Sequence, residues 1–141
     1  MADDGSDFAR SMSIATSGLR AQAGRMRVIS ENIANADSTA PTAAGDPYRR
    51  KVPTFSSTLD RTLEARVVTL GKVRTDQSAF RVKHEPSNPA ADAAGNVKYP
   101  NVNPLVEMTD MREAQRSYEA NLNIISATRR MIQRTLDILK A

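Results

Sequence analysis

The sequence predicts a mainly α fold with a small β insert, in which long N- and C-terminal helices pair as an antiparallel coiled-coil-like hairpin. Near each end of the chain, apolar residues recur at steps of three and four, as they do along one face of a helix. Between the two ends, Gly, Pro, Ser and Thr separate short alternating runs, a pattern typical of strands and turns. A small β-rich middle segment between two helices accounts for both observations.

Composition limits the size of the core and the classes of partner. The chain has 141 residues, which fits one domain, but only 40% are hydrophobic and 4% aromatic. Its net charge of +4 is spread along the sequence, whereas nucleic-acid or anionic-membrane binding concentrates Lys and Arg on one segment. There are no cysteines, which excludes a disulfide framework. We therefore expect no nucleic-acid partner and no direct membrane insertion.

The first helix is predicted to begin at Asp4 or Ser6, either of which is a suitable N-cap, and to end near Asn35. The residues that step by four and three along it, all apolar except Gln22, are here called the N-terminal stripe: Phe8, Met12, Ala15, Leu19, Gln22, Met26, Ile29 and Ile33. Gly18 and Gly24 lie within the helix, where each costs about 1 kcal/mol relative to Ala. Close approach of another backbone, or a hinge, should offset that cost. Residues 1–37 are predicted to form the N-terminal part of an axial helical domain.

The middle segment, residues 38–102, is predicted to be loop and short strands. Strands are expected over 66–70, 73–74 and 79–83, and extended chain over 48–55 and 97–100. Residues 56–64 are predicted to form a short amphipathic turn, and residues 85–96 an exposed loop that no core restrains. These strands would make at most a small sheet.

The last helix is predicted to start with Asn103 as N-cap and Pro104 at its first position, and to run to about Leu139. Its apolar positions, the C-terminal stripe, are Met111, Gln115, Tyr118, Leu122, Ile125, Ile132, Leu136 and Leu139. Acidic residues near its start and basic residues near its end suit the helix dipole. Residues 103–141 are predicted to form the C-terminal part of the axial helical domain.

The ends carry no recognisable targeting segment. The first ten residues are acidic and lack the basic and apolar regions of a secretory signal. No run approaches the length of a membrane span. On these grounds alone, the expected location is the cytoplasm.

Catalytic chemistry has little support. His84 is the only histidine, no G-x-S-x-G or G-x-x-x-x-G-K motif occurs, and the acidic residues do not follow the spacing of a calcium loop. We expect no enzyme activity, no cofactor and no metal, and an exposed, structurally neutral His84. The densest basic run, Arg49-Arg50-Lys51, is expected to be a solvated or subunit-facing strand edge in preference to a phosphate contact.

The two stripes predict association. A hairpin in which each of two helices buries one stripe is marginal in water, although an ordinary helical bundle would use the same pattern for its core. Further apolar side chains widen the adhesive surface, namely Ile14, Val28, Ile124, Met131 and Ile138. Two classes fit this pattern: a subunit that polymerises through its terminal helices, or a soluble helical adaptor or export chaperone that binds a partner protein through the same stripes.

Two segments resemble the signatures of bacterial flagellar rod, hook and related axial proteins. The first comprises residues 17–22 with 30–39, and the second residues 107–111 with 116–121. Their matching residues, together with those after Pro47, include Ser17, Gly18, Leu19, Asn32, Ala34, Asn35, Tyr48, Arg49, Arg50, Tyr118, Glu119, Ala120 and Asn121. Residues 45–51, 76–80 and 99–103 are similar to the proximal rod member of that family, and residues 56–72 match it least.

The resemblance implies a non-enzymatic subunit of the proximal rod, which polymerises through its terminal helices into the periplasmic drive shaft that transmits torque. It implies export by the flagellar type III apparatus without a cleaved signal peptide, which replaces the cytoplasmic expectation. The implied partners are other rod proteins, further copies of the chain and the basal adaptor to the membrane ring. The residues expected to pack between subunits are Phe8, Met12, Leu19, Met26, Ile29, Ile33, Met111, Tyr118, Leu122, Ile125, Ile132, Leu136 and Leu139.

Overall fold

Two long helices flank a strand-rich middle segment in the computed structural model, which describes residues Asp4–Lys140, with side chains from Asp7 onward. In chain order the elements are α1 (Asp4–Ala34), β1 (Lys51–Val52), β2 (Phe55–Asp60), β3 (Ala65–Leu70), β4 (Arg74–Thr75), β5 (Arg81–His84), β6 (Asn96–Tyr99) and α2 (Pro104–Lys140). The predicted fold class is therefore confirmed. The predicted capping side chains of Asp4 and Ser6, and the acidic Asp3, lie outside the described residues.

The strands form three separate antiparallel pairs, β1–β4, β2–β3 and β5–β6. In the longest pair, Phe55 lies opposite Leu70 and Asp60 opposite Ala65. The prediction of an amphipathic turn over 56–64 is wrong, because its first half is strand β2 and the chain turns only after Asp60. The Asp60 carboxylate accepts hydrogen bonds from the backbone N–H groups of Thr62 at 2.9 Å and Leu63 at 3.3 Å, which fixes the reversal.

Two compact units divide the chain, and each helix contributes a segment to both. Unit 1 comprises Met1–Met26, Thr54–Lys72 and Glu113–Ala141. Unit 2 comprises Arg27–Pro53 and Val73–Arg112. Unit 1 therefore contains the β2–β3 hairpin, and unit 2 contains the β1–β4 and β5–β6 pairs.

A small core in unit 2 lies beside β6. Val97 is completely buried and Tyr99 is 8% exposed, because alternate residues of a strand share one face, and Ala90 packs against them. The prediction that no core restrains residues 85–96 is therefore wrong. Gly95 adopts φ +77°, and a Cβ there would lie 2.9 Å from the His84 ring, so both its backbone conformation and its surroundings favour glycine. His84 itself is exposed, as predicted.

The start of α2 has the predicted cap. The Asn103 side-chain oxygen accepts a hydrogen bond from the backbone N–H of Leu105 at 3.1 Å, and the Asn103 carbonyl accepts one from Glu107 N–H at 3.1 Å. Pro104 is the first helical residue, where its missing N–H has no helical partner to lose. Neither helix, over the residues described, is apolar enough along its length to cross a membrane.

Candidate assembly surface

In unit 1 the two helices are antiparallel and approach closely at a glycine. A Cβ on Gly18 would lie 2.9 Å from the side chain of Asn121, which itself donates a hydrogen bond to the Ser117 carbonyl at 2.9 Å. Seven residues further along α1, Arg25 forms an ion pair with Glu113 at 3.4 Å. We predicted either a close approach or a hinge at the helical glycines, and the structure has a close approach at Gly18. The approaching group is a side chain and not a backbone.

The second helical glycine has a similar role on the other side of α1. A Cβ on Gly24 would lie 2.7 Å from Cδ2 of Leu70 on β3. The hairpin is also attached to α1 through Ser17, whose hydroxyl accepts a hydrogen bond from the Val68 backbone N–H at 3.2 Å. Ser17 is one of the residues that resembled a family signature, and it holds β3 against α1.

The N-terminal stripe faces the protein interior. Ala15 and Ile29 are each 2% exposed. The other members of this stripe are half-buried: Phe8, Met12, Leu19, Gln22, Met26 and Ile33. These side chains are largely covered within the chain itself. Val28, predicted to widen an adhesive surface, is 6% exposed, so that prediction is wrong for this residue, whereas Ile14 is 42% exposed.

The C-terminal stripe lies partly off the buried face of α2. Within unit 1 that face consists of buried or half-buried side chains, namely Ala114, Ser117, Tyr118, Asn121, Ile125, Ala127, Thr128 and Ile132. Leu122 is 42% exposed, Leu136 44% and Leu139 77%, so these three side chains are largely uncovered within the chain, and their packing between subunits stays a prediction. Small and polar residues take the inward positions. Met111, in unit 2, is half-buried, and Gln115 is exposed.

Several inward residues of α2 recur every seven positions, but a search for apolar residues does not find them because they are small or polar. Glu107, Ala114, Asn121 and Thr128 recur every seven residues and are all buried or half-buried. On α1, Gly18, Arg25 and Asn32 have the same spacing. Within their units, Gly18 lies against Asn121, Arg25 bonds Glu113, beside Ala114, and Asn32 bonds Glu107. The signal that sequence reasoning missed is therefore a heptad of small and polar residues.

The last three turns of α2 expose large apolar side chains. We use the name outer α2 face for the exposed apolar side chains of α2 from Leu122 onward, which lie around the helix and not on a single stripe. They are Leu122, Ile124, Met131, Leu136, Ile138 and Leu139, between 42% and 77% exposed. Between residues 129 and 140, Ile132 is the one side chain that is even half-buried. Exposed apolar side chains in such number on one helix mark an interaction site. The outer α2 face is the candidate assembly surface.

In unit 2, a buried asparagine joins α1 to β1 and α2. Asn32 is 1% exposed, and its amide donates hydrogen bonds to the Lys51 carbonyl at 2.8 Å and to Oε2 of Glu107 at 3.0 Å. Its oxygen accepts hydrogen bonds from Lys51 N–H at 2.9 Å and from the Tyr48 hydroxyl at 2.8 Å. With Arg50, these residues form what we call the polar cluster. All four hydrogen-bonding positions of the Asn32 side chain are occupied.

The buried carboxylate of the polar cluster is neutralised by one arginine. Glu107 is completely buried, and Nε of Arg50 lies 2.6 Å from its Oε1. The same guanidinium lies 3.7 Å from Asp110 and 3.9 Å from Asp76. The Arg50 backbone N–H donates to Asn101 Oδ1 at 2.8 Å. A buried ion pair of this kind is costly to break from one side, because it leaves a buried charge without its partner.

The basic run at 49–51 is committed to the chain's own fold, so the prediction of a solvated or subunit-facing edge is wrong. Arg50 binds Glu107, and the Lys51 ammonium bonds the Glu31 carboxylate. The Arg49 guanidinium lies 4.1 Å from the centre of the Phe80 ring, a cation–π contact.

Tyr48 and Asp76 are among the ionisable groups of unit 2 that have shifted pKa values. Burial, reinforced by the negative charges of Glu31 and Glu107, raises the pKa of Tyr48 to about 12. Hydrogen bonds from the backbone N–H and hydroxyl of Ser78 lower the pKa of Asp76, with a further contribution from the charge of Arg50.

The remaining signature residues lie in three settings. Asn35, near the end of α1, donates a hydrogen bond to the Glu31 carbonyl at 2.8 Å. Ala34 is exposed at the last position of α1, and Glu119 and Ala120 are exposed on α2 beside half-buried Tyr118. Residues that resembled one continuous signature therefore divide between the interior and the surface.

The described residues contain no group of three or more acidic or histidine side chains placed to hold a metal ion. A cleft of about 490 Å³ in unit 1 lies between α1 and the β2–β3 hairpin. Its lining includes Met12, Thr16, Val67 and Leu70, with Arg20 and Asp60 as its charged members.

Comparison with known proteins places both ends of the chain in one family. Residues 12–40 match the model of the flagella basal body rod protein family, and residues 93–138 match that of the flagellar basal body rod FlgEFG protein C-terminal family. These ranges contain most of α1 and α2 and both predicted signatures.

Curated relatives match over nearly the whole chain. The chain is 53% identical to the flagellar basal-body rod protein FlgC of Agrobacterium fabrum, over 91% of this chain and 92% of the relative. It is 39% identical to FlgC of Bacillus subtilis, over 92% and 97%, and 39% identical to FlgC of Salmonella typhimurium, over 89% and 92%. The chain therefore belongs to the FlgC family of flagellar basal-body rod proteins, which are structural subunits of the flagellar rod.

Proposed function

We propose that this chain polymerises through the outer α2 face, together with α1, into the proximal part of the periplasm-spanning rod that transmits torque. The observation that carries the proposal is the exposure of Met131, Ile138 and Leu139, at 54%, 76% and 77%, in the last turns of α2, where Ile132 is the one described side chain that is half-buried. A shaft under torque needs apolar contacts between neighbours along its length, and these side chains supply them.

The partners of this surface are further copies of the chain, other rod proteins and the basal adaptor to the membrane ring. A rod grows on a helical lattice, which requires two different surfaces that meet head to tail. The outer α2 face is one such surface. Exposed Ile14 on α1 belongs to a second helix surface in the same unit and is a candidate for the complementary contact.

We also propose that the chain is exported through the flagellar type III apparatus without a cleaved signal peptide, and its membership of the FlgC family supports this. The last three turns of α2 are stabilised by few side-chain contacts in the free chain, since nearly all of their side chains are exposed. We therefore expect this end to be only partly helical in dilute solution and to become ordered on assembly. Circular dichroism and limited proteolysis of the dilute chain test this, and a fully protected C-terminus would contradict it.

The decisive experiment replaces two residues of the outer α2 face. Met131→Asp with Ile138→Asp should abolish motility and rod assembly while the chain remains folded and is exported, because both side chains are exposed within the subunit. Asn123→Asp with Ser126→Asp is the matched control, because both positions are exposed and polar on the same helix and the pair gains the same two charges. Normal motility of the double variant would refute the proposal.

A substitution at Ile125 is expected to affect folding as well as assembly. This side chain is half-buried, so Ile125→Asp combined with Leu122→Asp should destabilise the subunit as well as its contacts. If the chain were instead an adaptor or export chaperone, the purified protein would form one discrete complex with a partner. Tubular or fibrous polymers in electron micrographs would exclude that alternative.

A further inference from the structure

The two edges of the β2–β3 hairpin differ, because the β3 edge is bonded to α1 and the β2 edge is not. The Gly71 backbone N–H donates to the Thr54 carbonyl at 2.6 Å, which fixes the phase of the ladder. Because bonded and non-bonded pairs alternate in an antiparallel ladder, the backbone groups of residues 55, 57 and 59 on β2 and of 66, 68 and 70 on β3 point outward. On the β3 side, Ser17 binds the outward N–H of Val68 at 3.2 Å.

The outward groups of β2 are unoccupied in the described chain. No hydrogen bond within residues 4–140 reaches the backbone of Phe55, Ser57 or Leu59. The side chain of Phe55 is 43% exposed and that of Leu59 is 56% exposed. Between Phe55 and Leu59 there is no Lys, Pro or inward charge of the kind that usually protects an exposed edge. This edge is therefore competent to pair with another strand.

The sequence of β2 is complementary to itself. If two copies of β2 pair antiparallel about Ser57, Phe55 of each copy lies opposite Leu59 of the other, and Ser57 lies opposite Ser57. Three residue pairs that each exchange two N–H···O bonds give six hydrogen bonds. Asp60 lies opposite Thr54, so no like charges face each other. Both apolar side chains of the strand gain an apolar neighbour.

We propose that β2 is a self-association surface, through which two copies of this chain pair edge to edge into a four-stranded antiparallel sheet. The pair has two-fold symmetry, so it closes and cannot extend. The proposal goes beyond the rod function, because it uses a surface other than the outer α2 face and gives the unassembled chain a discrete dimeric form. One short strand per copy buries much less than the roughly 800 Å² per partner of a stable interface, so the pair is weak and reversible.

Sedimentation of the full chain over a concentration series tests the proposal. The wild type should pass from monomer to dimer as its concentration rises. Ser57→Pro removes one outward N–H from each copy without touching the β2–β3 ladder, since Pro is tolerated on a strand edge. It should raise the dimer dissociation constant about thirtyfold, for two of six bonds lost. Ser57→Thr, which keeps the N–H, is the matched control and should dimerise like the wild type.

A crosslinking experiment tests the register and does not depend on how well the proline variant folds. The chain has no cysteine, so Ser57→Cys introduces a single thiol per copy. In the proposed pair, residue 57 of one copy lies opposite residue 57 of the other, with about 5.5 Å between their Cα atoms. A short bis-maleimide should link it efficiently. Arg61→Cys, in the exposed turn, is the control, because its two copies lie about 25 Å apart in this register.

The outcomes separate this surface from the rod surface. Ser57→Pro should leave motility intact, whereas Met131→Asp with Ile138→Asp should leave the dimer intact. The proposal is overturned if the wild type sediments as a monomer at every concentration. It is also overturned if Ser57→Pro leaves association unchanged, or if the thiol at position 61 crosslinks as well as that at 57.

Discussion

The replacement Asn32→Ala would remove the centre of the polar cluster. It eliminates four hydrogen bonds, to the backbone of Lys51 twice, to Glu107 and to Tyr48, at distances between 2.8 and 3.0 Å. Each hydrogen bond contributes about 1 kcal/mol net, so the expected loss is about 4 kcal/mol. That loss is a large part of the free energy of unfolding of an ordinary domain, which is roughly 5–15 kcal/mol.

The matched control for this replacement lies one turn further along the chain. Asn35 is half-buried and makes one side-chain bond, to the Glu31 carbonyl at 2.8 Å, so Asn35→Ala should cost about 1 kcal/mol. Urea unfolding of dilute protein, followed by circular dichroism, measures both. If Asn32→Ala is too unstable to purify, Tyr48→Phe removes a single bond to Asn32 and should cost about 1 kcal/mol. A loss for Asn32→Ala no larger than that of its control would refute the assigned role of the cluster.

Three further outcomes follow from distances and pKa shifts. Gly18→Ala sets the helix preference of Ala, about 1 kcal/mol, against a Cβ contact with the Asn121 side chain at 2.9 Å, so it should stabilise the chain more in the Asn121→Ala background than in the wild type, as thermal melts can show. Because the pKa of Tyr48 is raised to about 12, the neutral hydroxyl contributes fully to the free energy of unfolding below pH 10, and this contribution falls as the pH rises toward 12. Tyr48→Phe should remove that part of the decline in alkaline unfolding curves. Because the pKa of Asp76 is lowered, its ionised carboxylate stabilises the fold above pH 3.8, and this stabilisation is lost as the pH falls further. Asp76→Asn should therefore make the free energy of unfolding less dependent on pH in acidic solution.

Local signals in the sequence were sufficient for the helices. Asn103 and Pro104 specify the start of α2 by groups that lie within one turn of it, and the cap forms as predicted. The β2 strand was missed for the opposite reason. Its Ser-Ser-Thr centre has weak strand preference, and the pairing that makes it a strand is supplied by residues 65–70 across a turn.

The polar cluster could not be predicted from local pattern. Asn32 and Glu107 are separated by 75 positions in the sequence, and each is polar, so a search for apolar periodicity passes over both. Arg49, Arg50 and Lys51 likewise look like surface residues until their acidic partners are known. What could have located the cluster is the shared seven-residue spacing of Gly18, Arg25 and Asn32, which is a pattern of size and polarity and not of hydrophobicity.

Two kinds of residue matter for this chain, those bonded within it and those exposed on α2, and substitutions in the two kinds should have different effects. Asn32, Arg50 and Glu107 are engaged within one chain, so a neighbouring subunit cannot use their bonds without unfolding unit 2. Met131 and Ile138 are 54% and 76% exposed, so much of their surface is available to a neighbour. A substitution in the first set should therefore lower the stability of the dilute monomer before any polymer forms. A substitution in the second set should leave the monomer unchanged and appear only when subunits assemble.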